Sequence, residues 1–141
     1  MKWIGPFRIT RLLDNMMSSS RLSPPEANSV YVISKKSWVK EPDEKCLPLY
    51  VGSNTGKSKR FRTRIGDLIA DMFGFFGEET GHHSGGEKLY KFCKEHKINP
   101  KNLYIGWLKR SQCPRCDEIE IYEKFKLNML NKNRPALCKK H

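Results

Sequence analysis

A chain of 141 residues with 38% hydrophobic and 30% charged residues has the composition of one globular domain, which excludes a disordered or fibrous protein. Its 27 Lys and Arg against 15 Asp and Glu give a net charge of +12, which favours a polyanionic partner because each neutralised phosphate releases counterions. No apolar run approaches the ~20 residues that span a bilayer, and the N-terminus has no signal-peptide pattern. We therefore expect a cytoplasmic or nuclear protein, not a secreted one, with no membrane partner.

Residues 1–28 are predicted to form an N-terminal arm, because serine- and proline-rich stretches interrupt any regular element there. Apolar residues near its start could still dock as a short helix or strand. The β-branched and aromatic segment Ser29–Ser34 predicts a first strand, and Leu47–Gly52 predicts a second. The polar stretch 35–45 indicates a loop, so the two strands are predicted to pair as an antiparallel hairpin.

Two helices and a third strand follow. Apolar residues at helical spacing predict a helix over Phe61–Met72, and a second helix over Glu87–His96 follows a glycine-rich stretch. Alternating apolar residues predict a strand over Asn102–Leu108. Cys113 to Cys116 is predicted to be a turn that leads into a last helix over Asp117–Leu130.

The element order after the arm is therefore β-β-α-α-β-α. Three strands cannot bury two faces alone, so helices must cover the sheet. We expect an α/β (α+β) domain over residues 29–131, with a small three-stranded antiparallel sheet flanked by helices. Residues 132–141 form a basic C-terminal tail.

Two tyrosine-containing segments, Val30-Tyr31 and Tyr50-Val51-Gly52, resemble the two motifs that name the GIY-YIG nuclease superfamily. The first departs from the family pattern, because Ser29 stands where the family usually has glycine. The loop between the motifs is also longer than in minimal members. The resemblance covers about residues 29–131, and it implies a GIY-YIG-like fold and a metal-dependent endonuclease that hydrolyses phosphodiester bonds in DNA, with RNA not excluded.

The family places an arginine before an apolar residue on the helix after the second motif. Arg64 fits this pattern, with Arg60 and Arg62 as alternatives. The resemblance implies that this arginine pairs with phosphate, and that a glutamate at the start of the last helix holds Mg²⁺ or Mn²⁺ through oxygen. Tyr31 is the implied general base and Tyr50 orients the water or phosphate. Tyr31 then needs a lowered pKa, because an ordinary tyrosine near ~10 is a poor base.

Helix phase distinguishes between the candidate glutamates. A metal ligand should share the apolar face of its helix, and the positions that share a face with Glu118 are apolar or aromatic: Ile121, Tyr122, Phe125, Met129 and Leu130. The positions that share a face with Glu120 are Glu123 and Lys124, which indicate a solvent face. The phase therefore predicts Glu118 as the magnesium ligand, with Glu120 as the alternative.

The sequence offers two further candidate site residues, Asn131 and His83. The family has an asparagine just past the last helix, and Asn131 stands one residue late for that role; Asn133 is the alternative, and simple capping of the helix also explains Asn131. His83 lies in a Gly-His-His-Ser-Gly-Gly stretch that resembles one in a group of uncharacterised stand-alone family members. It could contact a phosphate at a helix N-terminus or act in catalysis. The alternative is a turn that Ser84 caps.

The five cysteines are odd in number and no secretion signal precedes them, so reduced thiols or a metal site fit better than disulfides. Cys113 and Cys116, together with Cys138 and His141, have the spacing of two zinc-knuckle halves on either side of the last helix. They predict a structural Zn²⁺ that would pin the tail to the start of that helix. Reduced thiols without a metal are the alternative.

The basic loop 56–64, the arm and the tail are predicted to contact phosphates, which position a substrate without reading its sequence. The predicted nucleic-acid-binding residues are Lys57, Lys59, Arg60, Arg62 and Arg134. Two rival hypotheses stay open. One is a non-catalytic nucleic-acid-binding module on the same fold, and the other is a zinc-stabilised interaction domain. The sequence indicates neither the target nor the oligomeric state.

Overall fold

The computed structural model describes residues 2–17, 24–55, 57, 60–75, 84–125 and 130. Within these residues the element order after the predicted arm is β-β-α-α-β-α, as predicted. The mixed α/β class is also confirmed. The elements in chain order are β1 (Trp3–Arg8), α1 (Ile9–Met17), β2 (Val30–Ser34), β3 (Pro48–Ser53), α2 (Phe61–Met72), α3 (Ser84–His96), β4 (Tyr104–Leu108) and α4 (Pro114–Phe125).

The sheet has four antiparallel strands in the order β1-β4-β2-β3, which corrects the predicted count of three. The extra strand, β1, comes from the segment predicted to be an arm. It pairs with β4 from Trp3 opposite Leu108 to Arg8 opposite Tyr104, and its register shifts between Ile4 and Phe7. The glycine and proline at this irregularity hide the strand pattern in the sequence, because both residues weaken a strand interior.

The two faces of the sheet bury different sets of side chains, because successive residues of a strand point to opposite sides. Helices α1, α2 and α3 cover the face that we call the tyrosine face. Its strand residues are Phe7, Tyr31, Ile33, Tyr50, Ile105 and Trp107. Helix α4 covers the opposite face, called here the α4 face, whose strand residues are Trp3, Val30, Val32, Val51 and Leu108. In the described part of the chain, no helix is long and apolar enough to cross a membrane.

Two helices begin earlier than predicted. Helix α4 starts at Pro114, because proline at a first helical position needs no N–H partner, and the Asp117 amide donates to the Cys113 carbonyl at 3.0 Å. Helix α3 starts at Ser84 rather than Glu87. Its glycines are poor helix formers in isolation, but a Cβ on Gly86 would lie 2.7 Å from the Leu68 carbonyl oxygen of α2. The close approach of the two helices therefore requires glycine there.

Gly86 and Gly66 are both helical glycines, and we expect alanine to act on them in opposite directions. Gly86→Ala should destabilise the protein by about 1–3 kcal/mol, because the added methyl group overlaps the α2 backbone. Gly66→Ala should stabilise it by about 0.5–1 kcal/mol, because a Cβ there meets nothing within 4 Å and alanine favours the helix. Urea unfolding measures both changes, and a neutral Gly86→Ala would contradict this packing.

Candidate active site

Tyr31 and Tyr50 lie side by side on the tyrosine face, on the neighbouring strands β2 and β3. Their ring centroids are 6.2 Å apart with an interplanar angle of 29°. Tyr31 is 1% exposed and Tyr50 is 9% exposed. The two tyrosines that the sequence singled out are therefore buried neighbours in one place.

Two glycines make room for these rings. Gly52 is the register partner of Tyr31 across the hairpin, and a Cβ on Gly52 would lie 2.7 Å from Tyr31 Cε1. Gly85, in the first turn of α3, lies against the other ring, and its Cβ would lie 2.7 Å from the Tyr50 hydroxyl oxygen. The second motif thus requires glycine at its third position, because any side chain on Gly52 would displace the ring of Tyr31.

Glu118 points from α4 toward the sheet and is 8% exposed. The Ser53 hydroxyl at the end of β3 donates to Glu118 Oε1 at 2.6 Å. Ile121 and Phe125 of the same helix face are buried, whereas Glu120 is exposed. The orientation that helix phase predicted for Glu118 is confirmed.

Arg64 lies in the first turn of α2 and is exposed. Its positive charge lowers the pKa of Tyr31 and the pKa of Glu118, so its guanidinium is within electrostatic range of both. The two tyrosines lie on the tyrosine face and Glu118 lies under α4 on the opposite face, and the charges of Tyr50, Arg64 and Glu118 all act on the pKa of Tyr31. The four residues come from four separate elements, β2, β3, α2 and α4.

Burial raises the pKa of Tyr31 well above its ordinary value, and the negative charges of Tyr50 and Glu118 raise it further. Arg64 opposes this shift. In the protein alone Tyr31 is thus a neutral phenol at physiological pH. The lowered pKa that a general base needs is not a property of the protein residues by themselves.

Burial also raises the pKa of Glu118, against the hydrogen bond from Ser53 and the charges of Arg115 and Arg64. Arg115 approaches only to 3.9 Å of Glu118 Oε1, and Oε2 accepts no hydrogen bond from the described residues. The described residues contain no group of three or more His, Cys, Asp or Glu that could hold a metal. One carboxylate with an open oxygen suits a hard cation such as Mg²⁺ that keeps most of its waters.

Two contributors to this site were not predicted from the sequence. Ser53 and Arg115 both interact with the Glu118 carboxylate. Two sequence features could have indicated them: Ser53 directly follows the second motif, and Arg115 precedes Glu118 by one helical turn. Ser29 departs from the family glycine, and its buried hydroxyl donates to the Leu108 carbonyl at 2.7 Å. This bond ties the start of β2 to the end of β4.

The predicted phosphate-contacting residues divide into two groups. Lys57 and Arg60 are exposed near the start of α2. Arg62 instead binds the preceding segment, since its Nε donates to the Pro24 carbonyl at 2.7 Å and its Nη1 lies 3.2 Å from Glu26 Oε1. Predicted site residues outside the described part of the chain are Lys59, His83, Asn131, Arg134, Cys138 and His141.

The structure describes two of the four predicted zinc ligands, Cys113 and Cys116. The Sγ atoms of Cys113 and Cys116 lie 2.6 Å apart at the start of α4. This places two thiols together next to the helix turn that carries Glu118. Bound zinc stays a prediction, because the other two ligands lie outside the described residues.

No family model matches this sequence, and no curated protein or solved structure is significantly similar to it. The resemblance to the GIY-YIG superfamily therefore depends on the motifs in the sequence.

The raised pKa of Glu118 predicts a stability change for Glu118→Gln. Because the folded pKa exceeds the ordinary value of 4.5, the favourable contribution of this group is fully present below that value and is lost as pH rises through the folded pKa. Without metal, Glu118→Gln should therefore melt at a higher temperature than the natural protein at pH 7. The difference should close below about pH 4.

Thermal unfolding in the presence of a chelator measures this difference at both pH values. The matched control is Glu120→Gln, an exposed residue two positions along the same helix, which should stay within about 0.5 kcal/mol of the natural protein. A Glu118→Gln protein that is less stable at pH 7 would show that the ionised carboxylate stabilises the fold.

Proposed function

We propose that this protein is a metal-dependent endonuclease that hydrolyses phosphodiester bonds in DNA, on the plan of the GIY-YIG superfamily that it resembles. One observation carries the proposal. Tyr31, Tyr50, Arg64 and Glu118 come from four elements and form one electrostatically connected group.

Glu118 is the residue that would hold Mg²⁺ or Mn²⁺, and the bound cation would supply positive charge to the phosphate and the leaving oxygen. The hydrogen bond from Ser53 fixes one carboxylate oxygen and leaves Oε2 for the cation. Holding the carboxylate in one rotamer reduces the ordering that metal binding requires. Ser53 is therefore a positioning residue in this proposal.

Tyr31 would accept the proton of the attacking water, and this requires its phenolate form. The charge of Glu118 is one of the causes that raise the pKa of Tyr31, so neutralising that charge lowers the barrier to ionisation. Arg64 already acts in the same direction. Tyr50 would hold the water or a phosphate oxygen through its hydroxyl.

Arg64 would pair with the phosphate from the exposed side of the site, where a guanidinium can donate two parallel hydrogen bonds. Lys57 and Arg60 lie exposed close to it and extend the positive surface. The net charge of +12 gives a polyanion a general attraction to this chain.

A specific observation favours a second candidate, the non-catalytic nucleic-acid-binding module. Tyr31 is fully buried, and its pKa is raised rather than lowered, which is unfavourable for a base. Such a module would bind DNA with the same basic surface and would not cut it. Cleavage assays separate the two candidates.

The first test uses Glu118→Ala. The natural protein should nick supercoiled plasmid DNA with Mg²⁺ or Mn²⁺ and lose this activity in a chelator. Glu118→Ala should lower the cleavage rate by roughly 100-fold or more while binding of the same DNA is retained. Glu120→Ala, on the exposed side of the helix, is the matched control and should cut normally.

Unchanged cleavage by Glu118→Ala would rule out this metal site. Salt-sensitive binding by the natural protein, with no cleavage under any divalent cation, would support the binding module instead. The same assay on RNA of matching sequence determines whether RNA is also a substrate.

Removal of the Tyr31 hydroxyl is the second test. Tyr31→Phe keeps the ring that packs on Phe61 at a centroid distance of 6.1 Å, so the fold should persist. Loss of the proton acceptor should reduce kcat by roughly 100-fold or more at saturating DNA. Tyr122→Phe on α4, which packs in the α4-face core, is the control and should leave kcat unchanged. A Tyr31→Phe enzyme with normal kcat would remove Tyr31 from the proposed chemistry.

A further inference from the structure

A second positively charged feature lies at the sheet edge opposite to β3. It is an open cleft of about 630 Å³ between the end of β1, the start of α1, the 3₁₀ turn Pro100–Asn102 and the start of β4. Three cationic side chains line it, Arg8, Arg11 and Lys101, against one carboxylate, Asp14. The Glu118 site uses none of these residues.

Arg8 is held at the cleft by Tyr104. The two residues are register partners across β1 and β4, and Arg8 Nε donates to the Tyr104 hydroxyl at 3.3 Å. The guanidinium carbon also lies 5.8 Å from the centre of the Tyr104 ring. These contacts orient the guanidinium, although the Arg8 side chain stays exposed.

Arg11 and Lys101 are brought to the same cleft by contacts between α1 and the 3₁₀ turn. The Thr10 hydroxyl donates to the Lys101 carbonyl at 3.1 Å, and the Ile9 amide donates to the Leu103 carbonyl at 2.9 Å. The Asn99 side chain accepts from the Lys101 amide at 3.1 Å and caps the turn. The backbone on both sides of the cleft is thus fixed, while both cationic side chains remain exposed.

This arrangement suits a phosphodiester backbone better than a small anion. A site for a discrete anion usually buries its charged groups, whereas all three cations here are exposed. Exposed cations on a fixed frame are the usual way to bind successive phosphates, because affinity comes from released counterions rather than from enclosure.

The cleft lies far enough from the Glu118 site to contact a different part of the same polynucleotide. Three interstrand spacings separate β1 from β3, and the register places Arg8 about four residues along the strands from Ser53. The two backbone positions are therefore about 20 Å apart. A duplex spans that distance in about six base pairs.

We propose that the cleft of Arg8, Arg11 and Lys101 binds the phosphate backbone of a polynucleotide about six base pairs from the bond held at Glu118. The inference rests on the proposed function for the identity of the partner. It assigns the N-terminal strand and helix a role in substrate binding that the four site residues do not include.

The test is DNA binding measured by fluorescence anisotropy on a 20-base-pair duplex, in a chelator so that cleavage plays no part. The variant is Arg8→Gln with Arg11→Gln and Lys101→Gln in the full chain. We expect Kd to rise at least roughly 10-fold at physiological salt, and the salt slope to fall by about 1 for each lost phosphate contact.

The matched control removes the same charge elsewhere, with Lys45→Gln, Lys91→Gln and Lys94→Gln at three exposed positions outside the cleft. An equal loss of affinity in this control would overturn the proposal, because the lower net charge alone would then explain the weaker DNA binding of the cleft variant. Displacement of DNA from the natural protein, but not from the cleft variant, by millimolar inorganic phosphate would also overturn it, since the cleft would then be a small-anion site.

A length series adds a geometric readout. A dinucleotide is too short to bridge the about 20 Å between Glu118 and the cleft, so loss of the cleft should weaken its binding far less than it weakens binding of the duplex. A defect of the same size on this ligand would contradict the proposed spacing. If the triple variant does not fold, Arg11→Gln alone serves, because the Arg11 side chain makes no hydrogen bond to the described residues, and it should raise Kd by a smaller factor.

Failure of this proposal and failure of the nuclease proposal give different results. If the natural protein binds DNA through the cleft but does not cut it, the cleft proposal stands and the nuclease proposal fails. If the natural protein cuts DNA with Glu118 while the cleft variant binds normally, the nuclease proposal stands and the cleft proposal fails.

Discussion

The pairing of Tyr31 with Gly52 across the β2–β3 hairpin is the constraint on which the rest of the site depends. A slip of one residue would turn Tyr31 to the α4 face and put a side chain where its ring now lies. Strand β2 is buried along its whole length, with a partner strand on each side, so the register is strongly specified. The ring of Tyr31 packs against the ring of Phe61, with the two centroids 6.1 Å apart. Phe61 is the first residue of α2, so this contact positions the first turn of the helix, which also carries Arg64.

Glu118 shows that this part of the fold is not optimised for stability alone. A buried carboxylate normally receives several donors, because an ionised group loses its hydration on burial. Among the described residues Glu118 receives one hydrogen bond, from Ser53, and Arg115 stays at 3.9 Å. The apolar face of α4 nevertheless forces it toward the sheet. A buried carboxylate of raised pKa whose charge also acts on a buried tyrosine is typical of sites that bind a charged ligand.

The sequence predicted local features well and long-range features poorly. The bounds of α2 and the buried face of α4 follow from helical periodicity, and both agree with the structure. The strand β1 was missed because its pattern is broken at Gly5-Pro6 and its partner β4 lies about 100 residues further along the chain. The early start of α3 depends on the space that Gly86 leaves for α2. Helix propensities describe single residues, so they do not include this contact between two helices. Arg62 was assigned to phosphate because its partners in residues 24–26 are distant in sequence.

The same strand β1 connects the fold to the distribution of charge. Without it, β4 would be an open edge with unpaired backbone groups, which proteins generally cover. β1 covers that edge, and its last residue, Arg8, then projects beside Tyr104. At the opposite edge, the Leu130 amide donates to the Leu49 carbonyl of β3 at 2.6 Å, so the chain beyond α4 returns to the strand that carries Tyr50. The Arg8 cleft and Tyr50 thus lie at opposite edges of the sheet. The sheet places the cations of the cleft at one edge strand, β1, and Ser53, which binds the Glu118 carboxylate, on the other edge strand, β3. The pairing of β1 with β4 is therefore the contact that both protects the edge of β4 and sets the distance between the two regions.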